Sequence, residues 1–294
     1  MDWEFKVITT NSYDDIAPIL EKARYGRCEY TFCTLLMYSE IGEYSYCIKE
    51  GVLFIKCKIS NREIFLAPVT DSEEKFSWAI SELLVLKGEN LRLMAVPVTL
   101  MGVMEKFDHQ ATSGHADYVY DIRAFAELKG KKYHGKRNHI SRFEREIGEY
   151  SFQKIDESNL SIVREFFEKF KLREEKTSEM FGIELSATQK ILNDFLHSRQ
   201  EGYALMTHGQ VIGFTIGEVV GDMLFVHVEK CDKTVHGVYE KTANCFVKTM
   251  LSKYPNLKFV NREDDAGDEG LRKAKLSYNP LYMAEKDNIT FSRG

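Results

Sequence analysis

In the second half of this 294-residue chain, three predicted strands follow one another without an intervening helix, at 203–207, 211–219 and 223–230. Their turns are His208-Gly209-Gln210 and Gly221-Asp222. Turns this short join antiparallel neighbours. A strand at 151–155 and two amphipathic helices precede this meander. Val163, Phe166, Phe167 and Phe170 mark the first helix, and Ile191, Leu192, Phe195 and Leu196 the second. After the meander comes a helix that buries Tyr239, Ala243, Phe246, Val247 and Met250, then a strand at 257–260. A helix at 269–278 is stopped by Asn279-Pro280, and a last strand covers 281–286. A doubly wound fold alternates helix and strand throughout. Three strands in succession argue against that and predict an α/β chain with mixed sheets.

The first half reads as a looser copy of the same plan. A helix at 13–22 precedes strands at 44–49 and 52–58, which flank a turn at Glu50-Gly51, and a third strand at 63–68. Acids at Asp71, Glu73 and Glu74 open a helix that buries Phe76, Ile80, Leu83 and Leu84. Strands at 91–95 and 118–122 follow. The expected organisation is a domain at 1–127, a basic linking helix at 128–149 and a second domain at 150–294, each domain long enough for its own core. There is no apolar run of the ~20 residues needed to span a bilayer, and the start, Met1-Asp2-Trp3-Glu4-Phe5, has no signal-peptide character. A cytoplasmic location with at most peripheral lipid contact is expected. None of the six cysteines forms a Cys-x-x-Cys pair and the histidines lack zinc-site spacing, so no metal site is expected.

Charge is distributed unevenly. The net charge is −5, yet 129–145 holds seven Lys or Arg against one acid, Glu144. Such a block suits anions. Lys132, Arg137, Asn138 and Arg142 are the candidates for phosphate contacts, with Tyr133 and His139 available to stack on a base. On the third strand of the meander, His227 and Glu229 are two apart and therefore share a face. Arg262, Glu263, Asp264 and Asp265 leave a predicted strand just before a helix. Acids there can take a proton or hold an ammonium group, and Arg262 can pair with phosphate. Lys273 and Lys275 point different ways on their helix, so at most one reaches such a site. Tyr278 is a candidate proton donor.

Two stretches carry a family resemblance: LKGKKYHGKRNHISRF at 128–143 and FVNREDDAGDEGLRKAKLSYNP at 259–280. They resemble signature segments of a bacterial family of unknown function that is similar to the C-terminal domain of phosphatidylglycerol lysyltransferase. The resemblance implies two tandem GCN5-related acyltransferase (GNAT) domains, as in the Fem peptidoglycan-bridge ligases. Those relatives move an amino acid from aminoacyl-tRNA to a lipid or lipid-linked acceptor. The resemblance also implies catalytic roles for Glu229, Glu263, Asp264 and Tyr278. His227, Gly237, Arg262 and Lys275 join the basic-helix candidates as substrate- or phosphate-binding residues. In GNAT proteins a loop of the form Arg/Gln-x-x-Gly-x-Gly/Ala binds the pyrophosphate of acyl-coenzyme A at a helix N-terminus. Here Gly237 takes the first glycine position, the basic Lys233 stands one residue ahead of the motif's first position, and Tyr239 replaces the last small residue. Three readings stand at this point. The first is acyl or aminoacyl transfer, with aminoacyl-tRNA or acyl-coenzyme A as donor and a lipid, peptide or small amine or hydroxyl as acceptor. The second is acetyl-coenzyme A-dependent N-acetylation, which the Tyr239 departure disfavours. The third is a non-catalytic module for a nucleotide, RNA or anionic metabolite.

Overall fold

The computed structural model describes residues 3–173 and 179–291. Fourteen strands are found among them: β1 Lys6–Val7, β2 Ser45–Lys49, β3 Val52–Ile59, β4 Arg62–Leu66, β5 Arg92–Pro97, β6 His109–Ser113, β7 Asp117–Asp121, β8 Ser151–Lys154, β9 Glu201–Thr207, β10 Gln210–Val220, β11 Met223–Cys231, β12 Phe259–Asn261, β13 Tyr282–Ala284 and β14 Lys286–Phe291. The helices are α1 Tyr13–Ala23, α2 Phe32–Met37, α3 Glu73–Lys87, α4 Met101–Met104, α5 Ile122–Glu127, α6 His134–Ile147, α7 Leu160–Arg173, α8 Glu179–Ser198, α9 Val238–Lys253 and α10 Glu269–Leu276. They belong to two mixed seven-stranded sheets, ordered β1-β2-β3-β4-β5-β14-β6 and β13-β7-β12-β11-β10-β9-β8.

Each sheet repeats one plan. An antiparallel meander (β2-β3-β4, and β9-β10-β11) is followed by a crossing helix (α3, and α9). The next strand pairs in parallel with the last strand of the meander: β4 with β5, and β11 with β12. This is the GNAT order, present twice. The turns that make the meanders possible are local in origin. Glu50 and Gly51 both have positive φ, as do His208 and Gly209, which is the geometry of a two-residue hairpin matched to strand twist.

The compact units are Met1–Asp117 with Met283–Gly294, and Tyr118–Tyr282. This differs from a division at 127 and 150. The strand at 118–122 falls in the second unit, as β7. The chain also ends differently from the single strand expected at 281–286. It forms β13 and then β14, which enters the first sheet between β5 and β6. Long-range pairing of this kind leaves no local pattern. Lys286, 4% exposed, anchors that entry: its ammonium lies 2.8 Å from Asp117 and 2.5 Å from Glu29. The expected helix at 269–278 stops at Leu276, and Tyr278 lies beyond its end.

Three residues beyond Lys286 on the same strand, Ile289 is fully buried and pairs with Leu93 on one side and Ala111 on the other. Ile289→Ala should therefore destabilise the first unit by about 2–5 kcal/mol in urea unfolding. A loss below about 1 kcal/mol would mean that β14 is dispensable to that core.

Candidate active site

The two parallel pairs open in different ways. In the first unit β4 and β5 share only the pairs Phe65↔Leu93 and Leu66↔Met94 before they part. The gap is filled by the unit's own tyrosines. The Tyr30 hydroxyl accepts from the Ala67 N–H at 3.1 Å and donates to the Ala95 carbonyl at 2.9 Å. Tyr25 donates to the Pro68 carbonyl at 2.7 Å, its ring edge-on to Tyr30 at 4.9 Å. The backbone groups that this opening exposes are thus satisfied from within.

In the second unit β11 and β12 pair only at Met223↔Phe259, Leu224↔Val260 and Phe225↔Asn261. Beyond Asn261 the chain stays with β7: Arg262 N–H donates to the Tyr118 carbonyl and Tyr118 N–H to the Glu263 carbonyl. Meanwhile β11 runs on to Cys231. At the same place the β10–β11 register jumps, with Ile216↔Val228 followed by Gly217↔Val226, so His227 is the extra residue of a bulge. Gly217 is needed opposite it, because a Cβ there would lie 2.3 Å from the Phe225 carbonyl oxygen.

Side chains bridge this gap. His227 Nδ1 lies 2.7 Å from Glu263 Oε1, and Arg262 donates to Glu229 Oε1 at 2.9 Å. The Arg262 guanidinium lies over Phe125 and Tyr278, whose rings stack 4.6 Å apart. Burial raises the Glu229 carboxyl above its ordinary range, against the lowering pull of Arg262. Burial likewise keeps Tyr278 protonated far above the usual phenol range. Glu229 Oε2 and the fully buried hydroxyl of Thr215 have no hydrogen-bond partner among the described residues. These two residues face each other across the β10–β11 register. Buried polar atoms without partners are costly, and side by side they mark a place for a polar ligand.

The loop behind the gap is held by other residues. Lys275 donates to the carbonyls of Arg262 (2.6 Å) and Asp264, whereas Lys273 is exposed, so one of the two lysines reaches the site region. The Asp264 carboxylate accepts from the Ala266 N–H at 2.8 Å. Asp265 accepts from Tyr118 at 2.6 Å and Arg272 at 2.9 Å. The acids thus divide: Glu263 meets His227, while Asp264 and Asp265 shape the turn.

The basic segment forms α6, which packs on the N-terminus of α9. Gly237 has φ +74, and a Cβ there would lie 2.3 Å from the His139 carbonyl oxygen. Lys136 pairs with Glu240 at 3.3 Å, and Lys241 with Glu144 at 2.5 Å. Tyr239, expected inside, is only half-buried. Several candidate phosphate ligands have protein partners. Arg137 donates to the carbonyls of Leu128 and Gly130. Arg142 pairs with Glu146 at 2.6 Å and lies 3.2 Å from His236 Nε2. Asn138 meets His134 at 3.1 Å. The exposed Lys132 lies over the Tyr133 ring.

Two site residues were not singled out from sequence. Lys136 sits 4.0 Å above the Tyr278 ring, and burial lowers its pKa despite Glu240. In the sequence Lys136 is one cation among seven in the basic segment, and nothing singles out Glu240. Only the packing of α6 on α9 brings them to Tyr278.

A profile of the family described as phosphatidylglycerol lysyltransferase, C-terminal, matches residues 21–286. This chain belongs to that family. A structure of a conserved protein of unknown function from Bacteroides thetaiotaomicron is similar over 99% of this chain and 100% of its own, at 26% identity and a TM-score of 0.92. L-PGS from Bacillus licheniformis shares the fold at 16% identity and a TM-score of 0.64, over 88% of this chain and 87% of its own. An uncharacterised protein of Mycoplasmoides gallisepticum is 22% identical over 76% of this chain and 74% of its own length. No helix among the described residues of this family member is long and apolar enough to cross a membrane.

Two outcomes follow from the packing. Gly237→Ala should lower the thermal midpoint far more than Gly209→Ala, which has the same φ of +74 with nothing within 4 Å. Equal losses would mean that α6 does not press on the α9 N-terminus. Arg272 holds Asp265 well below the usual carboxylate range, though burial opposes it. Because the folded pKa is depressed, this stabilisation is complete above the unfolded value of about 3.9 and fades as pH falls below it. The stability gap between wild type and Asp265→Asn, measured by urea unfolding, should therefore shrink below about pH 4. A gap constant from pH 7 to pH 3 would contradict the assigned ion pair.

Proposed function

We propose that this chain is an aminoacyltransferase that moves the aminoacyl group of an aminoacyl-tRNA to an amine or hydroxyl acceptor, with its site in the opening between β11 and β12. The observation that carries this reading is the pair of unpartnered polar atoms at Thr215 and Glu229, buried beside Arg262. A carboxylate oxygen and a hydroxyl with no partner suit an ammonium group, such as the α-amino group of an aminoacyl ester or an acceptor amine. Family membership over residues 21–286 supports the same reading.

The chemistry balances as an acyl transfer. The acceptor nitrogen or oxygen attacks the ester carbonyl and a new amide or ester bond forms. The bond to the terminal ribose oxygen breaks, and that oxygen takes a proton. In this reading Glu229 receives the acceptor's proton, a role that a raised carboxyl pKa serves. Tyr278 gives its phenol proton to the leaving oxygen as the ester bond breaks, and the proton taken up by Glu229 then returns to Tyr278, so both groups end as they began. Glu263 orients His227, and Arg262 balances charge around the reacting carbonyl. Lys132, Arg137, Asn138, Arg142 and Lys275 are assigned to contacts with donor phosphates or to the framework beneath them. An acetyl-coenzyme A donor is less well supported, since the close packing of α6 on Gly237 crowds the turn where a pyrophosphate would lie.

Donor recognition is testable with an amide-linked 3′-aminoacyl-adenosine, which cannot be hydrolysed. Calorimetry should find it bound at least 10-fold tighter than adenosine. Glu229→Gln should lose roughly 10- to 100-fold, the value of a charge-assisted hydrogen bond. Coenzyme A binding in place of the aminoacyl analogue would overturn the proposal. Where turnover is measured, the acidic limb of the kcat/KM profile should lie above the ordinary glutamate range and vanish in Glu229→Gln.

A further inference from the structure

Away from this opening, the first unit holds a cavity of about 310 Å³ lined by Arg62, Glu63, Phe65, Lys87, Asn90 and Arg92. The repeat plan builds it. Strands β4 and β5 are parallel, so both begin at one edge of the sheet, and the crossing helix α3 returns the chain there. Arg62 opens β4, Lys87 ends α3, Asn90 ends the turn that follows, and Arg92 opens β5.

The charges in this concavity do not balance. Its one acid, Glu63, is already paired with Lys87 and, at 3.0 Å, with Lys56. Burial alone would raise its pKa, but these two ammonium groups outweigh that and hold it below the ordinary glutamate value. The guanidinium groups of Arg62 and Arg92 are left with no hydrogen-bond or ion-pair partner among the described residues. Two unpaired guanidinium groups beside two lysines that share one carboxylate leave a net positive site in a chain of net charge −5. Arginine forks match phosphate oxygens two at a time, and the volume is at the lower end for small-ligand pockets, roughly 300–1,000 Å³. Phe65, the apolar wall, is 2% exposed and offers no open face for a base.

We propose that this cavity binds a diphosphate group through Arg62 and Arg92, recognising the phosphates and not an attached base. The diphosphate can be inorganic pyrophosphate or the end of a nucleoside diphosphate. This site is independent of the aminoacyl-transfer reading, because it lies in the other unit and uses none of its residues.

Calorimetry on the full chain with sodium pyrophosphate, ADP and adenosine tests it. Pyrophosphate and ADP should both bind, adenosine should not, and Arg62→Ala/Arg92→Ala should weaken the two anions at least 10-fold. Tighter binding of one anion identifies the natural source and still supports the site. Absence of binding by both anions at millimolar concentration, or unchanged affinity in the double variant, would overturn it. Should the alanine variant fail to fold by circular dichroism, Arg62→Gln/Arg92→Gln keeps the side-chain bulk without the charge and is held to the same criterion.

Discussion

A mixed sheet opens where two neighbouring strands stop exchanging backbone hydrogen bonds, and in the second unit β11 and β12 do so after Phe225 and Asn261. The backbone groups of residues 262 and 263 turn to β7 instead, leaving the gap to side chains. Arg262 and Glu229 close it at one level and Glu263 and His227 at another. A buried ion pair is a poor source of net stability but is expensive to break from one side. Its retention here holds charged groups at fixed positions along the opening. Phe125 and Tyr278 surround the guanidinium, and Lys275 holds the carbonyls of the departing loop. Thr215, His227 and Glu229 sit on strands, and the 262–263 segment beside them is tied by its backbone to β7, which is what gives a site usable precision.

The first unit shows what the same plan becomes without that arrangement. Its opening between β4 and β5 is bridged by the Tyr30 hydroxyl and sealed beside it by Tyr25. Neutral hydroxyls satisfy the free backbone groups there. One element order thus appears twice, with its opening closed by different side chains in each copy. This is the sense in which a fold does not fix a function.

The three-strand meanders were legible because their turns are local: two residues of positive φ suffice at Glu50-Gly51 and His208-Gly209. The contact between β11 and the 262–265 segment was also legible, from the alternation of His227 and Glu229 and from acids placed where a strand ends. The bulge at His227 was not, since an extra residue on one strand is defined only by the register of its neighbour. The return of β14 into the first sheet depends on pairing with β5 and β6, far away in sequence. The α2 segment Phe32–Met37 is buried on every side, so it carries no helical period to read. Lys136 and Glu240 became site residues only through the contact of α6 with α9.

We propose that the opening beside Glu229 transfers an aminoacyl group. The most direct measurement follows radiolabel leaving charged total tRNA in the presence of the full chain, with hydroxylamine and with phosphatidylglycerol vesicles as acceptors. Label should pass from tRNA into a hydroxamate or lipid product faster with wild-type protein than without protein, and with Glu229→Gln no faster than the protein-free rate. Label leaving tRNA no faster than without protein, while acetyl-coenzyme A is consumed and free thiol released, would contradict it.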